Sequence, residues 1–118
     1  MADPVKREVE ITFNGVARRV KTPLALVFDI EAATGVGLIE LVALVASKRA
    51  RLDQIAATLR AALNGSGAKY EMPAVIAAIE RDGIFKAYAS ASVILQSFFE
   101  VPENAKSKKV KAPEKAPE

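Results

Sequence analysis

The sequence predicts an α+β domain that is mostly α: an N-terminal β-hairpin packed on a bundle of about five helices, followed by a disordered C-terminal tail. Three observations carry this. Glu8-Val9-Glu10-Ile11-Thr12-Phe13 alternates polar and apolar residues and runs into Asn14-Gly15, the strongest short hairpin signal. Leu52, Ile55, Ala56, Leu59, Ala62 and Leu63 recur at three- and four-residue steps, which on a helix is one continuous apolar stripe. After Val101 the chain turns to Lys, Pro, Ala and Glu without apolar anchors, and such a segment cannot offset its ordering entropy. The division is a flexible N-terminus over 1–7, a single domain over 8–101 and a tail over 102–118.

The hairpin returns through Val16-Ala17-Arg18-Arg19-Val20-Lys21. A two-residue turn pairs Phe13 with Val16, Ile11 with Arg18 and Val9 with Val20, leaving Arg18 as the one misfit on the apolar face. Glu10 then faces Arg19 and Glu8 faces Lys21, two cross-strand ion pairs. An isolated hairpin is marginal in water and must rest on a helix; the first and the central helix are both candidates.

Thr22 is a good N-cap and Pro23 suits the first helical position, so a helix is expected from Leu24 to Ala33, ended by Thr34-Gly35. Leu26, Val27, Ile30 and Ala33 face inward, with Asp29 and Glu31 outward. Leu38 to Val45 reads as a short, almost wholly apolar helix, although periodicity alone leaves a buried strand open. The central helix spans Arg51 to Leu63, with Arg51, Asp53, Gln54, Thr58 and Arg60 mostly on its polar side. Asn64-Gly65 ends it, because glycine takes the left-handed cap without a Cβ clash. Met72-Pro73 starts the next helix, with Val75, Ile76 and Ile79 inward and Gly83 as its stop. The last helix runs from Ile84 to about Glu100, ended by Pro102. It is apolar on nearly every side, which marks a helix wrapped by its own domain or covered by a partner. In a domain this small, partial covering by another chain is the expectation.

Composition narrows the function. The 118 residues include neither cysteine nor histidine. That removes disulfides, the thiol nucleophile, the commonest metal ligand and the commonest neutral-pH base. An enzyme is therefore not expected, and no cofactor or metal is called for. Of the net charge of +3, five lysines against three glutamates after Val101 account for +2, leaving +1 for the rest. A nearly neutral body does not capture nucleic acid electrostatically. The tail and Lys48-Arg49-Ala50-Arg51 lack interleaved aromatics, so they support only weak, salt-sensitive phosphate contact; a solubilising tail is the simpler account. Met1-Ala2-Asp3-Pro4-Val5-Lys6 opens on charge rather than an apolar run, so no signal peptide is expected. Val36 to Ala46 is too short to span a bilayer, which takes ~20 residues.

No constellation of catalytic side chains stands out. Asp29 and Glu31, or Glu80 and Asp82, are two residues apart and point to different sides of a helix. Gly35-Val36-Gly37 and Gly65-Ser66-Gly67 lack the remaining positions of nucleotide-binding loops. Ser90, Ser92 and Ser97 have no histidine to activate them and read as small packing residues. Arg49 with Asp53, and Asp82 with Lys86, are candidate surface ion pairs worth a few tenths of a kcal/mol, about the usual size.

The order of elements carries a resemblance. The Val9-to-Val16 hairpin passes through Thr22-Pro23-Leu24 into Asp29-Ile30-Glu31-Ala32-Ala33-Thr34-Gly35. Leu38-Ile39-Glu40-Leu41 and Leu59-Arg60-Ala61-Ala62-Leu63 follow. Met72-Pro73-Ala74-Val75-Ile76-Ala77-Ala78-Ile79-Glu80 then leads through Asp82-Gly83 into the apolar last helix. From about Glu8 to Phe99 this resembles the gene transfer agent family of small phage proteins, grouped with tail assembly chaperones. The resemblance implies a non-catalytic protein of the bacterial host cytoplasm. Such a protein keeps the tape measure soluble, brings tube subunits to it and is absent from the mature particle. Some members carry the label of tail tube protein, but a tube subunit is built from strands and this chain offers one convincing hairpin.

The apolar surplus of the last helix and of Leu38 to Val45 is expected to form a groove for an amphipathic segment of the tape measure. Its partner-binding residues would be Phe85, Tyr88, Leu95, Phe98 and Phe99. Two rival readings stand beside it: a nucleic-acid-associated protein working through its basic tail, and a homo-oligomeric structural piece of the tail.

Overall fold

A computed structural model describes residues 7–100; the expected flexible N-terminus, the Pro102 stop and the tail over 102–118 lie outside, or almost wholly outside, the described residues. The chain runs β1 (Glu8–Phe13), β2 (Val16–Lys21), α1 (Leu26–Thr34), α2 (Leu38–Ala46), α3 (Leu52–Gly65), α4 (Met72–Asp82) and α5 (Ile84–Ser97). The hairpin-plus-five-helices architecture is the one expected, and α2 is a helix rather than a buried strand.

β1 and β2 pair antiparallel in the expected register, Phe13 opposite Val16 and Val9 opposite Val20. Asn14 and Gly15 both take positive φ, 56° and 77°, as a two-residue hairpin turn of this twist requires. The Asn14 amide donates to the Asp82 carboxylate at 2.6 Å, tying the turn to the end of α4. That contact, rather than an ion pair with Lys86, is what Asp82 makes. Arg18, the misfit, lays its guanidinium 5.8 Å from the centroid of the Tyr70 ring, a cation–π arrangement. Tyr70 also meets the Phe13 ring at 5.1 Å. The outer-face pairing differs from expectation: Arg19 reaches diagonally to Glu8 at 3.8 Å instead of across to Glu10.

Thr22 does not cap α1. Its amide donates to the Arg7 carbonyl at 2.9 Å, so it continues the hairpin ladder, and the two-residue period that buries Val20 buries Thr22 as well. Pro23 to Ala25 form a turn before the helix begins at Leu26, with Ala25 as its N-cap. Within α1, Leu26 and Ile30 are buried as expected while Ala33 is exposed. Gly35 closes the helix in the left-handed conformation. Glu31 also has an unforeseen partner: its carboxylate accepts the Leu38 amide at 2.8 Å and so caps α2.

α3 is the central strut, against which α1, α4, α5 and β2 all pack. Its coverage is wider than the stripe implied. Gln54, Ala57 and Thr58 are buried alongside Ile55, Ala56, Leu59, Ala62 and Leu63. The polar members are satisfied locally, Gln54 Oε1 accepting the Arg51 amide and Thr58 Oγ1 donating to the Gln54 carbonyl. α3 also outlasts its expected stop. Gly65 is still helical, and the glycine with positive φ is Gly67. The Ser66 hydroxyl donates back to Ala62 and accepts the Lys21 amide, while the Asn64 side chain exchanges two hydrogen bonds with the Tyr70 backbone.

The hairpin rests neither on α1 nor on α3 alone: β1 lies along α5 and β2 against α3. α5 ends at Ser97 rather than Glu100, its last residues closing as turns. Arg7 reaches the carbonyls of Ser97 and Glu100 at 2.6 and 2.9 Å. It thereby satisfies acceptors that a helix C-terminus leaves open.

Candidate partner-binding groove

Two elements far apart in the chain build the groove. α2 contributes Val45 and Ala46 from its last turn, with Lys48 just beyond. α5 contributes Phe85, Tyr88, Ala89 and Ser92, which fall on one side of that helix by their three- and four-residue spacing. Together they enclose a trough of about 440 Å³. Val45 is buried and forms part of the floor. The Tyr88 hydroxyl donates to the Ala50 carbonyl in the loop after α2, which fixes the ring and ties the two walls together. Phe85 stands at the rim with 78% of its surface exposed, the most exposed large apolar side chain among the described residues. Small residues at Ala46, Ala89 and Ser92 leave room beside it.

The structure separates the five residues singled out from sequence. Phe85 and Tyr88 line the trough. Leu95 and Phe98 are 1% and 7% exposed and belong to the chain's own core. Phe99 is 48% exposed but lies fourteen residues beyond Phe85, about 21 Å at the helical rise, so it is not part of the same trough. Ala46, Lys48, Ala89 and Ser92 were not foreseen as lining residues. The signal for two of them was present in the four- and seven-residue steps from Phe85 along α5.

Other surface features flank this site. A smaller trough of about 240 Å³ runs along the adjacent side of α5 against β1, between Glu10 to Thr12 and Lys86, Ala89 and Val93, with Ala89 shared by the two. Leu24, in the turn before α1, and Phe28, in the first turn of α1, are both exposed, where the sequence pointed to Asp29 and Glu31 as the outer face.

The groove's electrostatics are simple. Lys48 is its one charged lining residue, and among the described residues no carboxylate forms an ion pair with it. The pair predicted between Arg49 and Asp53 gives way to one between Arg51 and Asp53 at 3.0 Å. There the hydrogen bond from Arg51 holds the Asp53 carboxyl below its usual range. Neither residue of that pair lines the trough, and both side chains are 68% exposed. Among the described residues no cluster of histidine, cysteine or carboxylate side chains has metal-holding geometry, and no helix is long and apolar enough to cross a membrane. What the trough offers is an apolar floor, a fixed aromatic wall and one cation.

Residues 6–101 match the family model described as "Phage tail tube protein, GTA-gp10". No curated protein and no solved structure matches.

Proposed function

The chain belongs to the phage tail assembly chaperone family, and from that premise we propose that it acts by holding an amphipathic segment of the tape measure protein in the α2/α5 groove while the tail is built. The observation that carries this reading is Phe85. A phenylalanine left 78% exposed forfeits burial worth ~25 cal/mol per Å² of apolar surface. A helix laid into the trough recovers it without disturbing the core. The fixed Tyr88 ring and the small residues beside it shape a site for large apolar side chains, as in other helix-in-groove complexes.

A role as a tail tube subunit, which the family's description names, fits less well. A tube wall is built from strands, and the described residues contain a single two-stranded sheet. On the chaperone reading the protein works in the host cytoplasm and leaves before the particle matures. Tube subunits would then be brought to the tape measure through a surface other than the groove.

Co-expression with the cognate tape measure tests the proposal. The unaltered chain should keep the tape measure in the soluble fraction, Phe85→Asp should lose it, and Phe99→Asp should have the smaller effect. Equal solubility of the tape measure with and without Phe85→Asp rejects the groove. Mass spectrometry of purified particles supplies a second check, since a chaperone is missing from them and a structural component is present.

A further inference from the structure

We propose that Lys48 makes the groove selective for a helix that carries an acidic side chain beside its apolar face; this rests on the groove being the partner site. The first observation is the backbone at Lys48. It takes φ +62°, in the left-handed region, directly after the α2 C-cap Ser47. The Lys48 amide donates to the Val45 carbonyl, and the next amide, of Arg49, to Leu44. This is the position after a helix end where glycine or asparagine is usual, because a Cβ clashes there. Lysine occupies it at a conformational cost glycine would avoid.

The second observation is charge. Lys48 is exposed, lines the trough, and has no acidic neighbour among the lining residues. Asp82 is held by the Asn14 amide, Glu31 by the Leu38 amide and Asp53 by Arg51, and among the described residues no carboxylate pairs with Lys48. The negative end of the α2 dipole does favour a nearby cation, but a lysine anywhere in the last turn serves that purpose without a left-handed residue. What the observed position adds is an ammonium at the edge of an apolar floor made by Val45 and Tyr88. A helix covering that floor displaces water, and a carboxylate placed at its edge meets Lys48 in a medium less screening than bulk water. A basic side chain at the same place is repelled, so one residue supplies both attraction and rejection.

Two fluorescently labelled amphipathic peptides test this. They share one leucine and phenylalanine face and differ only in carrying glutamate or lysine at the flanking positions. Anisotropy titrations use the full chain. The glutamate peptide should bind about three- to five-fold more tightly at low salt, the size of a single partly exposed ion pair, and the gap should narrow as salt screens it. Lys48→Gly should abolish the preference while thermal stability stays the same or rises, and Lys48→Glu should reverse it. Equal binding of the two peptides, or a preference that survives Lys48→Gly, overturns the proposal. A loss of stability in Lys48→Gly with the preference intact assigns the residue to the helix end alone. If Phe85→Asp weakens both peptides while Lys48→Gly changes nothing, the groove stands and acidic selectivity falls. If neither peptide binds, or Phe85→Asp leaves both unaffected, the groove and the selectivity fall together.

Discussion

Truncating Leu95 and Phe85 separately to alanine distinguishes a core residue from a docking residue on the same helix. Leu95 is 1% exposed within the main apolar cluster. Removing its buried methyl groups forfeits both transfer free energy and the dispersion contacts of the cavity lining, about 3 kcal/mol for a leucine so placed. A domain of this size holds ~5–10 kcal/mol in total, so the loss takes a large share. At a urea m-value of ~1.5 kcal/mol/M the midpoint falls by about 2 M, and Tm drops by about 12–24 °C. Phe85, at 78% exposure, gives up little in the isolated chain, and its truncation should stay within about 0.5 kcal/mol. Urea titration followed by far-UV circular dichroism measures both. A Leu95→Ala midpoint shifted by less than ~0.5 M, or a Phe85→Ala shift as large as that of Leu95→Ala, refutes the division of α5 into a buried face and a docking face.

Three further outcomes follow from individual contacts. Glu31→Ala removes the acceptor for the Leu38 amide and should cost about 1 kcal/mol, the usual worth of a helix cap, with Glu31→Gln recovering part of it in the same urea assay. Arg7→Ala frees the Ser97 and Glu100 carbonyls; it should cost about 1–2 kcal/mol and speed amide hydrogen exchange in the last turn of α5, leaving α3 protected. Asp53 should titrate below the ~3.9 of an ordinary aspartate, because Arg51 hydrogen-bonds its charged form. A depressed folded pKa adds stability above the unfolded value that is lost as pH falls through the folded one. For a pair this exposed the gain is too small to move the unfolding midpoint, so the check is the carboxyl carbon shift followed by NMR, with Arg51→Ala bringing the midpoint back up.

Much of the fold was legible because its signals are local. Asn14-Gly15 demands positive φ at both residues, and a two-residue turn then dictates every pair from Phe13·Val16 to Glu8·Lys21. Gly35 and Gly83 mark helix ends for the same steric reason. The misses have a common origin in partners outside the element that carries the signal. Thr22 looks like a cap until Arg7 takes its amide, and Glu31 looks solvated until Leu38 arrives beside it. Gly65 looks like a helix stop until Ser66 is held by Lys21. The five aromatic and aliphatic residues of α5 illustrate the limit best. Their spacing shows which residues share a side of the helix, and nothing in it shows which side a neighbour covers.

By itself the sequence determined the turn, the strand register, the order of the elements and the absence of histidine and cysteine chemistry. These follow from backbone sterics, side-chain period and residue inventory, each decided within a few positions of the chain. The tertiary structure alone decided that β1 lies along α5, that α3 is covered by four neighbours, and that Leu95 and Phe98 are core while Phe85 stands free beside Tyr88 and Lys48. Burial depends on which remote segment arrives to displace water from a surface, and only the packed chain specifies that.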